Sequence, residues 1–166
     1  MVPGSVQKQM SVDVRAALAG RVGELALAAN LTIGVAESLT GGMISSALAA
    51  AGRASQWFRG AVVAYSSEVK YEVLDVPAGP VVSSAAASAM ARGARRLLGS
   101  DVAVAVTGVG GPEPEGGRVP GTVFLAVDGP GDHRVLRLEL AGDPGEVCAA
   151  AAEAALEMLV AGLEHP

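Results

Sequence analysis

The sequence predicts an α/β protein, a three-layer α/β/α sandwich around a mixed, largely parallel sheet. Three observations carry this expectation. Apolar runs of strand length interleave with segments of helical periodicity, which is the pattern of a sheet covered by helices. Residues 102–106 are apolar without interruption, as in a strand buried on both faces. Near the C-terminus two strand-like segments flank a Gly- and Pro-containing turn, the signature of a hairpin. At 166 residues the chain suits one domain with a real core. Residues 11–166 read as that domain, and residues 1–10 as a flexible tail.

The elements follow in order. Ser11 can cap a helix over about 12–29, where Val14, Leu18, Val22, Leu25 and Ala29 recur at three- and four-residue steps, and Asn30 suits its end. Residues 31–35 form a short strand, and 40–51 a helix stopped by Gly52. "GAVVAY", residues 60–65, is a second strand. Ser66 or Ser67 can start a short helix that carries Lys70 and ends near Leu74. Pro77, Gly79 and Pro80 break the chain before Ser83 caps a long helix to about Leu98. After the buried strand 102–106 comes a loop, 107–121, long enough to suggest ligand binding. The hairpin joins 122–127 to 134–140 across 128–132, and a last helix covers about 146–163.

Composition excludes several classes. The formal charge is -5, and no basic cluster exists beyond Arg92, Arg95 and Arg96, so no nucleic-acid partner is expected. The Ala-rich stretch 149–155 is interrupted by Glu153 and followed by Glu157, too polar for a bilayer, so no membrane partner is expected. "MVPGSVQKQM" lacks the apolar centre of a signal peptide, and a cytoplasmic location is the expectation. One cysteine, Cys148, and two histidines, His133 and His165, supply no zinc-type spacing, so neither a metal nor a cofactor is expected.

The common nucleotide and hydrolase signatures are absent. There is no G-x-x-x-x-G-K-[ST], no full G-x-G-x-x-G, and Ser38 stands in A-E-S-L-T rather than G-x-S-x-G. What remains is three segments, 36–42, 64–70 and 107–121, each leaving the end of a predicted strand, where open α/β sheets hold ligands. Thr40, Gly41 and Gly42 offer backbone N–H groups at the positive end of a helix, suited to a phosphate or an oxyanion. Ser38 and Thr40 can equally be N-caps worth about 1 kcal/mol. Glu37, between a buried strand and a Gly-Gly turn, is expected to face a polar crevice, with a cap-type carboxylate as the alternative. Lys70 is one of only two lysines beside ten arginines, and the other, Lys8, lies in the tail. A desolvated lysine can serve as a base where arginine cannot; an exposed helix lysine is the alternative. Tyr65 sits at the adjoining strand end.

Taken together, "AESLTGG", "WFRGAVVAYSSEVK", Val82-Ser83 and "TGVGGPEPEGGRVPGTVFLAV" resemble the CinA C-terminal domain family over about residues 16–163. Its stand-alone members include nicotinamide-nucleotide amidases of the PncC type. The resemblance implies hydrolysis of nicotinamide mononucleotide (NMN) to nicotinic acid mononucleotide and ammonia, in pyridine-nucleotide salvage. It makes Ser38 the nucleophile, Lys70 the base and Tyr65 the third catalytic member. Glu37, Thr40, Gly41, Gly42, Thr107, Gly108, Gly110 and Gly111 then approach the nucleotide, and the protein is expected to self-associate. Two other functions compete: an amidase for another carboxamide, and a non-catalytic nucleotide-binding or assembly module. The sequence departs from the family at Leu39, Ser67 and Ser84, where cysteine, asparagine and glutamate are usual. It also departs in "AGDPGEVCAAA", where Pro144 and Cys148 stand in place of two arginines.

Overall fold

The computed structural model describes residues 3–165. In chain order the elements are α1 (Pro3–Ala29), β1 (Ile33–Glu37), α2 (Met43–Ala50), a short 3-10 turn (Ala54–Gln56), β2 (Phe58–Val63), α3 (Ser67–Leu74) and α4 (Ser84–Leu98). They continue with β3 (Val102–Gly108), β4 (Thr122–Gly129), β5 (Asp132–Glu139) and α5 (Pro144–Glu164). The strands form one sheet in the order β2-β1-β3-β4-β5. β1 pairs in parallel with β2 and β3, while β4 runs antiparallel to both β3 and β5. The expected mixed three-layer architecture is what the chain adopts.

Each face of the sheet has its own core. On one side Val35, Val104, Val106 and Leu125 meet Val22 of α1, Ile44 and Leu48 of α2, and Ala155 and Leu156 of α5. On the other, Ala36, Ala103, Ala105 and Ala126 meet Ala87, Met90 and Ala94 of α4. Alanine facing alanine lets α4 lie close to the sheet, and the absence of polar atoms at these positions explains the uninterrupted strand β3. At the base of the sheet Asp101 accepts bonds from the Thr32 N–H and hydroxyl, both at 2.8 Å, which ties the start of β1 to that of β3.

Several boundaries differ from the sequence expectation. The helix expected from about residue 12 already begins at Pro3, so the described part of the expected tail is helical; residues 1 and 2 lie outside the described residues. Residues 5–10 make that extension solvent-exposed. The buried stripe of α1 is Ala19, Val22 and Ala26, while Val14 is exposed. Small residues face inward because α1 packs close to α5, and at Gly23 an added Cβ would stand 2.8 Å from the Trp57 ring. The hairpin turn is only Pro130-Gly131, with Gly131 at φ 73, as a tight two-residue connection with Pro first requires. α5 begins at Pro144 under an Asp143–Glu146 capping box.

The parallel arrangement decides where function can sit. β1 leads outward to β2 through α2, and β2 returns over the opposite face through α3 and α4 to β3. The strand order reverses between β1 and β3, and the carboxyl ends of β1, β2 and β3 share one edge. α3 is set against α4 at Gly93, where an added Cβ would come within 2.1 Å of the Leu74 carbonyl oxygen. Gly93→Ala is therefore expected to destabilise the fold by about 1–3 kcal/mol through overpacking and to displace α3. A urea denaturation midpoint equal to that of the parent protein would exclude this packing constraint.

Candidate active site

β1 delivers Glu37 at its last position, and the chain then turns sharply through Ser38–Gly42. The Gly41 N–H donates to the Ser38 carbonyl at 3.1 Å and the Met43 N–H to the Thr40 carbonyl at 3.0 Å. Gly41 and Gly42 have φ of 56° and 114°, a left-handed conformation open to glycine and costly for other residues. Helix α2 then starts at Met43 with Gly42 at its cap position and no side-chain cap there. Neither Ser38 nor Thr40 is its N-cap.

The cap comes from below. Glu37 is fully buried, and its carboxylate accepts from the Thr40 hydroxyl at 2.7 Å, the Ile44 and Ser45 N–H groups at 3.0 Å each, and the Ser45 hydroxyl at 2.6 Å. This corrects the expectation that Glu37 faces a polar crevice. The first amides of a helix lack intrahelical acceptors, and a carboxylate under them satisfies two donors and complements the helix dipole. It also fills the anion position the sequence seemed to offer at this helix end. The Gly41 N–H is occupied too, which leaves the N–H groups of Leu39, Thr40 and Gly42 without a protein acceptor among the described residues. A cavity of about 510 Å³ opens on Gly41 and Gly42 from the α1 side, bounded also by Arg15, Ala16 and Ala47. Ser38, Lys70 and Thr107 do not line it.

Ser38 is 6% exposed, and its hydroxyl has no hydrogen-bond partner among the described residues. The Ala64 N–H donates to the Glu37 carbonyl at 2.8 Å, so the segment leaving β2 starts directly beside Ser38. Ser66 caps α3 by accepting from the Val69 N–H at 3.3 Å. That cap turns the first helical turn inward, and Lys70 is 2% exposed with its Nζ donating to the Tyr65 carbonyl at 3.1 Å. Burial pushes the Lys70 pKa below its ordinary value, and the Glu115 carboxylate opposes this by favouring the ammonium. Tyr65 contributes its backbone to this arrangement; its side chain is 74% exposed rather than packed.

The β3 side is built from glycines. Thr107 is buried and its hydroxyl donates to the Val81 carbonyl at 2.6 Å, so it anchors the connection into α4. A Cβ on Gly108 would lie 2.7 Å from the Thr122 carbonyl oxygen, which makes this glycine a requirement of strand pairing. A Cβ on Gly110 would meet the Cys148 sulfur at 3.6 Å. Gly111, at φ 90°, turns the chain against Pro120. The Cys148 thiol, which burial keeps protonated, donates to the Leu39 carbonyl at 3.1 Å. Position 148 therefore stands between the Ser38 turn and the β3 loop.

Two loop residues were not singled out from the sequence. Glu115 and Arg118 pair through both backbone N–H groups, at 3.1 and 2.9 Å, around Gly116 and Gly117, which have φ of 56° and 76°. The dipeptide Gly-Gly was the available signal for this tight turn. Arg118 places its guanidinium carbon 5.5 Å from the Phe124 ring centroid. Among the described residues no three His, Cys, Asp or Glu side chains converge as a metal site, and no helix is long and apolar enough to cross a membrane.

Comparison with known proteins matches residues 15–163 to the CinA C-terminal domain. The chain belongs to the CinA C-terminal domain family. A CinA-like protein of Gemmatimonas aurantiaca is 41% identical over 136 residues, 78% of this chain and 32% of its own length. A CinA-like protein of Frankia casuarinae is 37% identical over 156 residues, 89% of this chain and 36% of its own. The chain thus spans about a third of the length of the curated relatives it matches. Among solved structures, the competence-damaged protein (CinA) superfamily protein of Klebsiella pneumoniae superposes with a TM-score of 0.87 at 34% identity, covering 92% of this chain and 99% of that one. The matched span contains every residue from the Ser38 turn to Cys148.

Two stability effects follow from this site. Glu37→Ala leaves buried helix donors without an acceptor, and is expected to cost about 3 kcal/mol or more in chemical denaturation. Glu37→Gln, which keeps a carbonyl acceptor, should cost less; equal stability of all three proteins would contradict the capping role. Lys70 has a folded-state pKa below that of the unfolded chain, so the unfolded state binds more protons between the two values. Its stability penalty is then full below the lowered pKa and relieved as pH rises toward 10.5. The stability difference between Lys70→Met and the parent protein should accordingly shrink with rising pH, and a pH-independent difference would contradict burial of the amine.

Proposed function

We propose that this CinA-family chain is an amidohydrolase that converts nicotinamide mononucleotide and water to nicotinic acid mononucleotide and ammonia, with Ser38 as nucleophile and Lys70 as its base. The observation that carries this reading is the buried amine of Lys70, lowered in pKa, on the segment that leaves β2 beside Ser38. Burial favours the neutral amine, and it is the neutral amine that can accept a proton.

The chemistry divides into two displacements. Ser38 Oγ attacks the carboxamide carbon while its proton passes to Lys70 Nζ, and the carbonyl electrons move onto oxygen. Collapse of that intermediate breaks the C–N bond, and Lys70 returns the proton so that ammonia leaves. Water then attacks the ester with Lys70 again taking a proton, which it passes to Oγ as the C–Oγ bond breaks; this restores Ser38 and neutral Lys70 and releases the acid, which ionises to the carboxylate in solution. The oxyanion is held by N–H groups of the Ser38 turn, and those of Leu39, Thr40 and Gly42 are the ones that no protein acceptor occupies. The Tyr65 carbonyl orients the amine, and its exposed ring is free to lie against the bound substrate.

Ammonia release from NMN is the direct test, and a panel of other carboxamides followed by product mass separates this substrate from a different amide. Ser38→Ala should reduce turnover by about 10³-fold or more with the melting temperature unchanged, because Ser38 caps nothing. Lys70→Arg should be nearly as damaging as Lys70→Ala, since arginine cannot accept the proton. Activity should rise with pH through a Lys70 pKa below 10.5 and then level. An arginine variant that retains most activity would make Lys70 a charge anchor and remove it as the base.

A further inference from the structure

A mononucleotide carries its charge at the end remote from the carboxamide, and the positions expected to receive that charge are filled or altered. The N-terminus of α2 is taken by Glu37. On α5, Pro144 and Cys148 offer no cation. Lys70 is committed to the Tyr65 carbonyl. One loop cation remains over the same edge of the sheet. The Arg118 guanidinium lies 5.5 Å from the Phe124 ring centroid, and among the described residues no carboxylate is within ion-pair distance of it. Arg137 stands over the same ring at 5.6 Å but is bound to Glu139 at 2.6 Å.

The sheet register sets the spacing. Ala36 is level with Ala105, which brings Ser38, two residues on, to the height of Thr107. Thr107 pairs with Phe124, and Phe124 with Arg137. Ser38, Thr107, Phe124 and Arg137 therefore form one row across the strand ends. At about 4.8 Å per strand, Phe124 lies about 10 Å from the nucleophile's column. Arg118, over Phe124, therefore stands toward the far end of this row from Ser38. That separation is of the order of a mononucleotide from its base to its phosphate.

We infer that Arg118, stacked on Phe124 with Arg137 alongside, is the anion subsite of this crevice and takes the phosphomonoester of a ribonucleotide whose carboxamide lies at Ser38. Stacking on the ring orients the planar guanidinium and leaves its edge free for bidentate contact with phosphate. Arg137, shared with Glu139, contributes less. The inference rests on the carboxamide-nucleotide reading above, and its test is chosen to fail separately.

Calorimetric binding of ribose 5-phosphate, with ribose as the uncharged comparison, would be measured for the parent protein, Arg118→Ala, Arg118→Gln and a remote control, Arg21→Ala. The glutamine variant retains a polar side chain at the Phe124 ring if alanine disturbs the loop. Loss of a charge-assisted contact should weaken ribose 5-phosphate binding by at least about tenfold in both Arg118 variants and leave the control unchanged. In turnover, KM for NMN should rise by a similar factor with kcat within about twofold, and the preference for NMN over its phosphate-free nucleoside should collapse. Equal binding by parent and Arg118 variants, or no binding by the parent, overturns the subsite whatever happens to NMN. Arg118-dependent binding without NMN turnover supports the subsite and overturns the amidase reading instead.

Discussion

Everything at the strand ends depends on one buried carboxylate. Glu37 sits where β1 stops and α2 begins, and its four accepted bonds fasten both sides of the intervening turn. A five-residue turn with two left-handed glycines has many conformations open to it in isolation. Anchoring the Thr40 hydroxyl and the first amides of α2 to the same carboxylate reduces these to one, and Ser38 is held at the edge of the sheet with its hydroxyl uncommitted. A serine that also capped the helix would have its oxygen engaged with backbone N–H groups and would be a poorer nucleophile. Capping by the residue beneath leaves the Ser38 hydroxyl out of the helix cap.

The second requirement is an amine that has lost its water. Lys70 is buried beside the β2 end, and among the described residues the cost of desolvating it is offset by the Tyr65 carbonyl and the charge of Glu115. Such a position is unfavourable for stability and favourable for proton transfer, the combination expected of a working group rather than a structural one. It persists because α3 cannot move: Ser66 fixes its start, Asp75 in a left-handed conformation ends it, and Gly93 lets α4 close over its last turn.

The β3 loop and α5 define the other wall. Cys148 is bonded to the Leu39 carbonyl and contacts the Gly110 position, so the α5 terminus, the Ser38 turn and the loop meet at one point. A long cation in place of this thiol would project into the crevice. Of the two guanidinium groups over Phe124, that of Arg118 belongs to the loop and that of Arg137 to β5.

The fold class, the order of strands and helices, and the three segments around the site were legible in the sequence, because buried strands and amphipathic helices impose local patterns that survive in any tertiary context. The Ser83 cap, Ser66 as one of two candidate starts, and a hairpin turn somewhere within 128–132 were likewise readable, since caps and turns are short-range chemistry. Recognition of Ser38 and Lys70 came from their setting in several ordered blocks. What the sequence alone could not decide was direction. The side chain of Glu37 could point into solvent or under α2, and only the contact of β1 with that helix turned it inward; Tyr65 could be packed or exposed, and the edge position of β2 left it exposed. The depressed pKa of Lys70, the thiol contact of Cys148 and the stacking of Arg118 join residues far apart in the chain. Local propensity carries no information about such partners, and only the closing of α3, α4, α5 and the loop over one edge of the sheet brings them together.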